Sequence, residues 1–439
     1  MSVHAEQTDT PREMLHLGPR AWLVYSTASI AGIAGLILSL LLCYFIDPGF
    51  RRFYFTYLVS FCFFLTIALG ALFFVLIQHL SHAGWSVSVR RVAEALAATM
   101  PMLLGLSAPI LVSVGLGHGD LYRWAQPVPH AVENASQAEA AALVEEHPGS
   151  HGVQAPDEAT VAKRSWLNPR FFIWRVLLYF VVWSLLGQWY WRQSSRQDIT
   201  GDVAATVRME TLSAPSLILF GITITFASFD LVVSLDPHWY STIFGIYFFA
   251  GSVVGGLAML TLVLMFMNHW GYLRLSVNNE HYHDLGKWLF GFVFFWGYIA
   301  FSQYMLLWYA GIPEETGWLV RRGASTAHGG GNAWSGVAIA LIAGNLLIPF
   351  AVLLSRHIKR RKAALAFWAA WLLVFHWMDL YWLVVPELDG KLHFGLLDLT
   401  TFMGIGGIFL AVFVRLLARH SLRPRKDPRL VESVAFENI

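Results

Sequence analysis

Charged residues are scarce in this sequence. Asp, Glu, Lys and Arg make up 13% of its 439 residues, whereas about 25% is usual for a soluble domain. The net charge of +2 is too small to indicate nucleic-acid binding. Only two cysteines occur, Cys43 and Cys62, and both lie inside apolar runs, so the sequence has no disulfide framework, no CxxC pair and no CxxCH haem attachment site. These absences argue against a soluble fold and against a redox metal held by this chain.

Apolar residues, by contrast, are abundant, at 56% of the chain. A helix needs about 20 consecutive apolar residues to span a bilayer, and ten stretches meet that length. They predict an all-α integral membrane protein of ten transmembrane helices. The predicted spans are 22–46, 54–80, 92–115, 169–190, 212–235, 241–267, 287–310, 335–355, 363–386 and 393–418.

Ten spans put both termini on one side of the membrane. With the termini inside, 20 of the 30 Lys and Arg residues fall on the cytoplasmic side, including the loop RHIKRRK at 356–362. The positive-inside rule therefore predicts a cytoplasmic segment at 1–21, a membrane domain at 22–418 and a cytoplasmic tail at 419–439. The longest connection, about 116–168, is predicted to be an external, periplasmic loop that is partly mobile.

Several acids and one histidine lie well inside the apolar stretches. At 1.5 Å per residue, Asp230, Asp379 and Asp398 all lie roughly 10 Å below the outer surface. Gln303 and Tyr304 lie near the same level, and His376 lies one helical turn deeper than Asp379. Because a carboxylate in lipid is costly, such residues commonly mark a path for protons, ions or substrate.

The inner half of the predicted membrane domain is less polar. Glu94, Asp284 and Lys287 lie near the inner ends of the third and seventh spans. His79 and His82 close the second span and are interpreted as interfacial. The glycines at 329–331 lack a Walker pattern, so nucleotide binding is not expected.

Two interpretations of the outer acids remain open. They can converge in one pocket under the outer rim and relay protons, since titratable groups within hydrogen-bond reach serve that purpose. Alternatively, each acid pairs with Arg, Tyr or backbone groups and only locks helices together. The sequence alone does not decide between a proton path and structural pairing.

Seven longer segments carry more information than any single residue. In chain order they are AGWSVSVRRVAEAL at 83–96, LNPRFFIWR at 167–175, SSRQDITGD at 194–202, FASFDLVVSLDPHWYSTIFGIYFFAG at 226–251, YIAFSQYMLLWYAGIPEET at 298–316, HWMDLYWLVVPEL at 376–388 and PRKDPRLVESVAFEN at 424–438. Together they resemble the ActF-type membrane subunit of alternative complex III, a quinol:electron-acceptor oxidoreductase. That subunit type belongs to the polysulfide reductase, NrfD-like family.

The resemblance implies an architecture and a set of partners. The ten helices would form two four-helix bundles and a helix pair in the bacterial inner membrane. The chain would bind no cofactor itself. It would sit beside a homologous NrfD-like subunit that binds quinol, an iron–sulfur subunit and haem c subunits, with a cytochrome c, a copper protein or a terminal oxidase as electron acceptor.

The resemblance also implies roles for individual residues. The segment around SFD and SLDPHW supplies Asp230, Asp236 and His238, and HWMDLYW supplies His376, Asp379 and Tyr381. The expected function is a non-metal subunit that contributes a proton pathway coupled to quinol oxidation. The alternatives are a quinol-binding membrane anchor and a purely structural scaffold.

Overall fold

The computed structural model describes residues 13–46, 49–117, 119–126, 163–324 and 332–437. About 79% of the chain is helical, and no strand occurs in these ranges. Most of the predicted outer loop, from 127 to 162, lies outside the described residues, as do the glycines at 329–331.

Ten helices in the described ranges are long and apolar enough to cross a membrane, which confirms the predicted number and a multi-pass membrane protein. They are α1 Arg20–Phe45, α2 Arg51–Leu80, α3 Gly84–Leu116, α4 Pro169–Thr200, α5 Val203–Leu235, α6 Phe244–His269, α7 Asn279–Ala310, α8 Ser335–Leu353, α9 Lys362–Asp389 and α10 Leu396–Ala418. Shorter helices lie at Pro313–Arg321, Arg356–Arg360 and Leu430–Val434.

Several helices are longer than the apolar stretches that predicted them. α4 continues ten residues past the predicted end, and α3, α5 and α7 begin about eight residues earlier than predicted. Hydropathy marks only the apolar part of a helix, whereas backbone hydrogen bonding continues into polar sequence. Capping sets the true ends: the Asp202 side chain accepts a hydrogen bond from Ala204 N at 2.9 Å at the start of α5, and Gly201, with a φ of 69°, ends α4.

Two of the ten helices are irregular. α3 is divided into Val87–Ala97, Met100–Leu106 and Ala108–Leu116, with Pro101 and Pro109 in the first turns of the later segments. Proline lacks the N–H that continues a helix, so these breaks follow from the sequence. α8 contains a π-helical segment at Ile342–Leu347, which no sequence pattern predicts.

Both described termini lie at the same end of the helices, here called the terminal end. Glu13 forms an ion pair with Arg423 at 3.1 Å, and Asn278 before α7 donates a hydrogen bond to Phe436 O at 2.8 Å. The tail also contacts the last turn of α4, where Arg425 N donates to Asp198 at 2.7 Å. The opposite end of the helices is called the far end.

Small residues allow the closest helix contacts. α1 packs mainly against α10, and side chains at Gly32 or Gly35 would meet the α10 backbone near Ile408 and Gly404. α2 is the most buried span, and its Gly70 lies directly against the α6 backbone at Ser252. Contact between backbones is typical of helices packed in membranes. It fixes α2 between α6 and the α1–α10 pair, and so positions the polar groups that α2 carries.

Candidate functional site

Asp230, near the far end of α5, is fully buried and forms an ion pair with Arg175. Both Nε and one terminal nitrogen of Arg175, on α4, donate to its carboxylate at 2.8 Å. The Tyr179 hydroxyl donates to it at 2.8 Å and Trp166 Nε1 at 3.1 Å. The Arg175 guanidinium also lies 4.1 Å from the Trp166 ring. A carboxylate held by a bidentate arginine and two further donors is a fixed negative charge.

A second ionic group lies between α5 and the end of α9. Asp236 pairs with Arg321, and Arg322 pairs with Glu387 at 2.9 Å. Arg321 also reaches Glu387 at 3.5 Å, which links the two pairs. Burial lowers the pKa of Arg322 to about 10, while Glu387 acts in the opposite direction. At neutral pH this arginine stays charged, so the group joins the short helix Pro313–Arg321 to α9.

Asp379 on α9 differs from the acids of these two ionic groups, because its hydrogen-bond partner is a hydroxyl and not an arginine. The Tyr247 hydroxyl of α6 donates to its Oδ1, and the carboxyl is buried, with 2% of the residue exposed. Among the described residues no arginine, lysine or histidine forms an ion pair with it. A carboxyl group removed from water without a cation can hold a proton.

His376 lies one turn from Asp379 and is buried in the same contact between helices. Its Nε2 is 2.8 Å from the Thr66 hydroxyl of α2. Gly251 and Gly255 of α6 face its ring, and a side-chain carbon at Gly255 would lie 2.9 Å from its Cδ2. The two glycines therefore make the space that the imidazole occupies.

An aromatic cavity of about 160 Å³ adjoins Asp379 at the far end of α6, α7, α8 and α9. Tyr247 and Trp296 form one wall, so the hydroxyl that contacts Asp379 belongs to a residue of the cavity lining. The predicted residues Gln303 and Tyr304 also line it, and Ser241 donates a hydrogen bond to Gln303. A mostly apolar cavity with a few polar groups is typical of a small-molecule site.

The remaining predicted outer residues have local roles. Asp398 caps α10 by accepting a hydrogen bond from Gly395 N at 2.9 Å and lies 3.7 Å from Arg52. Tyr381 is buried, stacks on Trp377 with ring centroids 5.1 Å apart, and its hydroxyl has no hydrogen-bond partner among the described residues. His238 is exposed in the turn before α6, as an interfacial residue would be.

The terminal end holds a further buried polar cluster. Glu94 on α3 is 1% exposed and pairs with Arg90 at 3.1 Å and Arg91 at 3.6 Å. The tail residue Asp427 closes this cluster through an ion pair with Arg90 at 2.7 Å. Asp284 and Lys287 form a separate pair within α7.

His79 differs from its interpretation as an interfacial residue, because it is buried with 1% exposed. Its ring packs on Tyr190 at 5.4 Å. Four side-chain atoms are buried here without a hydrogen-bond partner among the described residues: the nitrogen and oxygen of the adjacent Gln78, Nε2 of His79 and one oxygen of Glu94. Buried polar atoms of this kind are usually satisfied by water.

The predicted convergence of outer acids in one pocket does not match the contacts. In the described part of the chain, no hydrogen bond or ion pair joins Asp230, Asp379 and Asp398 to one another. Each acid instead has partners of its own. The reason is that side chains at equal depth on different helices can point in different directions. Depth alone does not show which neighbouring helix a side chain faces.

Sequence reasoning missed most partners of these acids. Arg175, Tyr247, Thr66, Gln78 and Arg322 are not among the predicted site residues. Tyrosine and threonine are common in membrane helices, so only the fold reveals which of them face an acid. Arginine at 175, inside an apolar stretch, was the one usable signal, because it requires a buried acid as partner.

No group of three or more His, Cys, Asp or Glu side chains that could hold a metal ion occurs among the described residues. Comparison with protein-family models and with curated proteins gives no match for the chain.

Proposed function

We propose that the chain is a membrane subunit of a quinol-oxidising respiratory complex of the alternative complex III type. In this proposal it moves protons, while partner subunits carry the electrons on iron–sulfur clusters and haem c. The observation that supports a proton role is Asp379, an acid buried among helices with a hydroxyl rather than a cation as partner. The seven segments that resemble the ActF-type subunit support the choice of complex.

The helix contacts are compatible with the arrangement implied by that resemblance. α1 contacts chiefly α10, as a helix pair would. α2 contacts α3 and α5, and α4 contacts α3 and α5; α6, α7 and α9 contact one another, and α7 and α9 both contact α8. We therefore propose two four-helix bundles, α2–α5 and α6–α9, beside the pair.

Asp379 can act as a proton carrier because a neutral and an ionised form are both accessible to a carboxyl group without a cation. Tyr247 presents a hydroxyl to it from the cavity side. The next polar contact lies toward α2, where the Thr66 hydroxyl is 2.8 Å from Nε2 of His376. A proton entering beside Tyr247 would thus meet Asp379 before the helix contact at His376.

The terminal end would supply the second half of such a path. Gln78, His79 and Glu94 carry buried polar atoms that need water. Twelve residues of α2 separate Thr66 from Gln78, which is about 18 Å at 1.5 Å per residue. Transfer across the whole membrane therefore requires water to enter that stretch, and the path is proposed as two half-channels.

A second candidate function is quinol binding by this chain. The aromatic cavity favours it, since Tyr247 and Gln303 would offer polar contacts to a ring inserted among Trp296, Trp318 and Trp382. On oxidation of such a quinol by partner subunits, the Tyr247–Asp379 pair would accept a proton. Ala300→Phe, which fills the cavity, should then raise the quinol concentration needed for half-maximal electron transfer.

The decisive experiment replaces Asp379 by Asn in the assembled complex. The complex is reconstituted into vesicles, and electron transfer from quinol to the acceptor is measured together with the pH change inside. We expect electron transfer to continue at a reduced rate while proton movement falls about a hundredfold or more, since one positioned proton-transfer group typically contributes a factor of about 10²–10⁴. Asp389→Asn on the exposed end of the same helix serves as the matched control.

Two other results would change the conclusion. If Asp379→Asn raises the quinol requirement but keeps the number of protons moved per electron, quinol binding replaces the proton path. If it assembles, turns over and moves protons as the unaltered complex does, only the scaffold role survives.

A further inference from the structure

The segment 424–437, here called the tail strap, lies across the terminal end of several membrane helices. Arg429 forms an ion pair with Glu210 of α5 at 2.8 Å. Further along the segment, Phe436 O accepts a hydrogen bond from Asn278, the residue before α7, at 2.8 Å. The tail strap therefore connects helices that are distant in the sequence, and between these two contacts it meets the start of α3.

Two polar residues of the tail strap are buried against α3. Asp427 is 5% exposed and forms an ion pair with Arg90 at 2.7 Å. Ser433 is fully buried, and its hydroxyl donates to Trp85 O at 2.7 Å and accepts a hydrogen bond from Ser88 N at 3.0 Å. The tail strap thus supplies polar partners to the first turns of α3.

The contact with Asp427 covers a charge that lies further inside. Nε of Arg90 donates to Glu94 at 3.1 Å, while a terminal nitrogen of the same guanidinium donates to Asp427. Arg90 and Glu94 are only 4% and 1% exposed. Since Glu94 lies one turn further along α3 than Arg90, the tail strap lies between this buried pair and the solvent at the terminal end.

Polar contacts, rather than an apolar core, hold the tail strap in place. Between 424 and 437 only Pro424, Asp427 and Ser433 are buried, and Val431 is 80% exposed. Its helix, Leu430–Val434, is five residues long. Segments with few buried apolar contacts open locally at a lower free energy than the core of a protein. The tail strap therefore has the composition of a segment that can detach while the membrane helices stay folded.

We propose that the tail strap is a removable cover that controls the access of water to the buried charges at the terminal end. While it is docked, Asp427 and Ser433 separate Arg90 and Glu94 from solvent. When it detaches, the start of α3 becomes open to water and the packing of the spans is unchanged. This inference does not depend on the proposed proton role.

The test follows the reaction of a thiol placed under the tail strap. Ser88→Cys introduces it at the contact with Ser433. The full chain in detergent is treated with a water-soluble maleimide, and mass spectrometry of peptides gives the labelling rate at each cysteine. Cys62, fully buried within α2, reports any unfolding of the membrane domain in the same sample.

Release of the tail strap is expected from a single change. Combined with Ser88→Cys, Asp427→Ala should raise the labelling rate of the introduced thiol at least about tenfold, because loss of one partner of a buried ion pair shifts a local opening equilibrium by more than that factor. Deletion of residues 425–439 should raise the rate at least as much. Glu432→Ala, a change of an exposed acid in the same segment, is the matched control and should leave the rate unchanged.

Three results would overturn the proposal. Equal labelling with and without residues 425–439 would show that the segment does not cover the start of α3. An unchanged rate in Asp427→Ala would show that its ion pair does not hold the segment in place. Labelling of Cys62 as fast as that of the introduced thiol in Asp427→Ala would show that the segment unfolds only together with the membrane helices.

Discussion

Asp230 and Asp379 are both buried acids in the far half of the molecule, with 0% and 2% of each residue exposed, yet their partners have little in common. Asp230 is held by Arg175 and two further donors from neighbouring segments. Asp379 meets the hydroxyl of Tyr247 and no cation in the described part of the chain. The two acids have the same predicted depth in the membrane, which makes them look equivalent in the sequence. The structure shows that their partners differ.

The difference determines which protonation state of each acid the surrounding residues stabilise. A bidentate arginine stabilises the ionised carboxylate and leaves no reason for it to take up a proton. A hydroxyl can donate to the ionised carboxylate or accept from the neutral acid, so it serves both forms. The partners of Asp230 fit a structural role, and those of Asp379 fit the proposed proton exchange. Variants of the two acids and of their partners test this difference.

The largest effect is expected for Arg175→Ala. It leaves the Asp230 carboxylate buried without its cation, which typically costs about 3–5 kcal/mol. Thermal unfolding of the detergent-solubilised chain measures the loss. Arg170→Ala, at an exposed position five residues earlier on the same helix, should change stability by less than about 0.5 kcal/mol.

A double replacement then tests whether the charge is the cause. Arg175→Leu combined with Asp230→Leu removes both charges, and exchange of a buried pair for apolar residues is often close to neutral. If the double variant is as unstable as Arg175→Ala, lost packing explains the result and the assignment of Asp230 as a fixed charge fails.

An intermediate effect is expected for Tyr247→Phe. Asp379 loses the donor that faces it, and a buried polar group without a partner costs about 1–3 kcal/mol. Tyr57→Phe removes a comparable buried hydrogen bond, from the Tyr57 hydroxyl to Leu106 O at 2.7 Å, which does not involve Asp379. Both variants should lose stability, but only Tyr247→Phe should slow proton movement in the reconstituted complex. Equal proton movement in both would remove Tyr247 from the path.

The number of membrane helices was predictable because it depends on apolar length, which a bilayer imposes directly. Helix ends were less predictable: Arg192 and Arg196 lie in the last turns of α4, beyond its apolar part. The π-helical segment of α8 was not predictable, since no residue pattern marks it; within it, Gly344 lies close against the Phe375 ring.

The sequence was enough to predict which acids belong to the candidate site, but not which residues they contact. A buried acid such as Asp379 is visible in a sequence because lipid makes it unusual. Its partner Tyr247 is 132 positions away, and no local pattern connects them. His79 shows the opposite failure: its place at the end of an apolar stretch predicted an interfacial residue, but it is buried and its ring packs on Tyr190.

The smallest effect is expected for Asp379→Asn, and it tests the comparison most sharply. Asn has nearly the shape of a neutral Asp and can still accept from the Tyr247 hydroxyl, so the free energy of unfolding should fall by less than about 1 kcal/mol, the net contribution of one neutral hydrogen bond. Asp230→Asn has the same shape change but leaves Arg175 without a counter-charge, so its loss should be several times larger. Thermal unfolding of the two variants under identical conditions gives the ratio. Similar losses would mean that Asp379 also carries a fixed charge that the helices need, and an acid that must stay ionised for stability cannot exchange its proton during turnover.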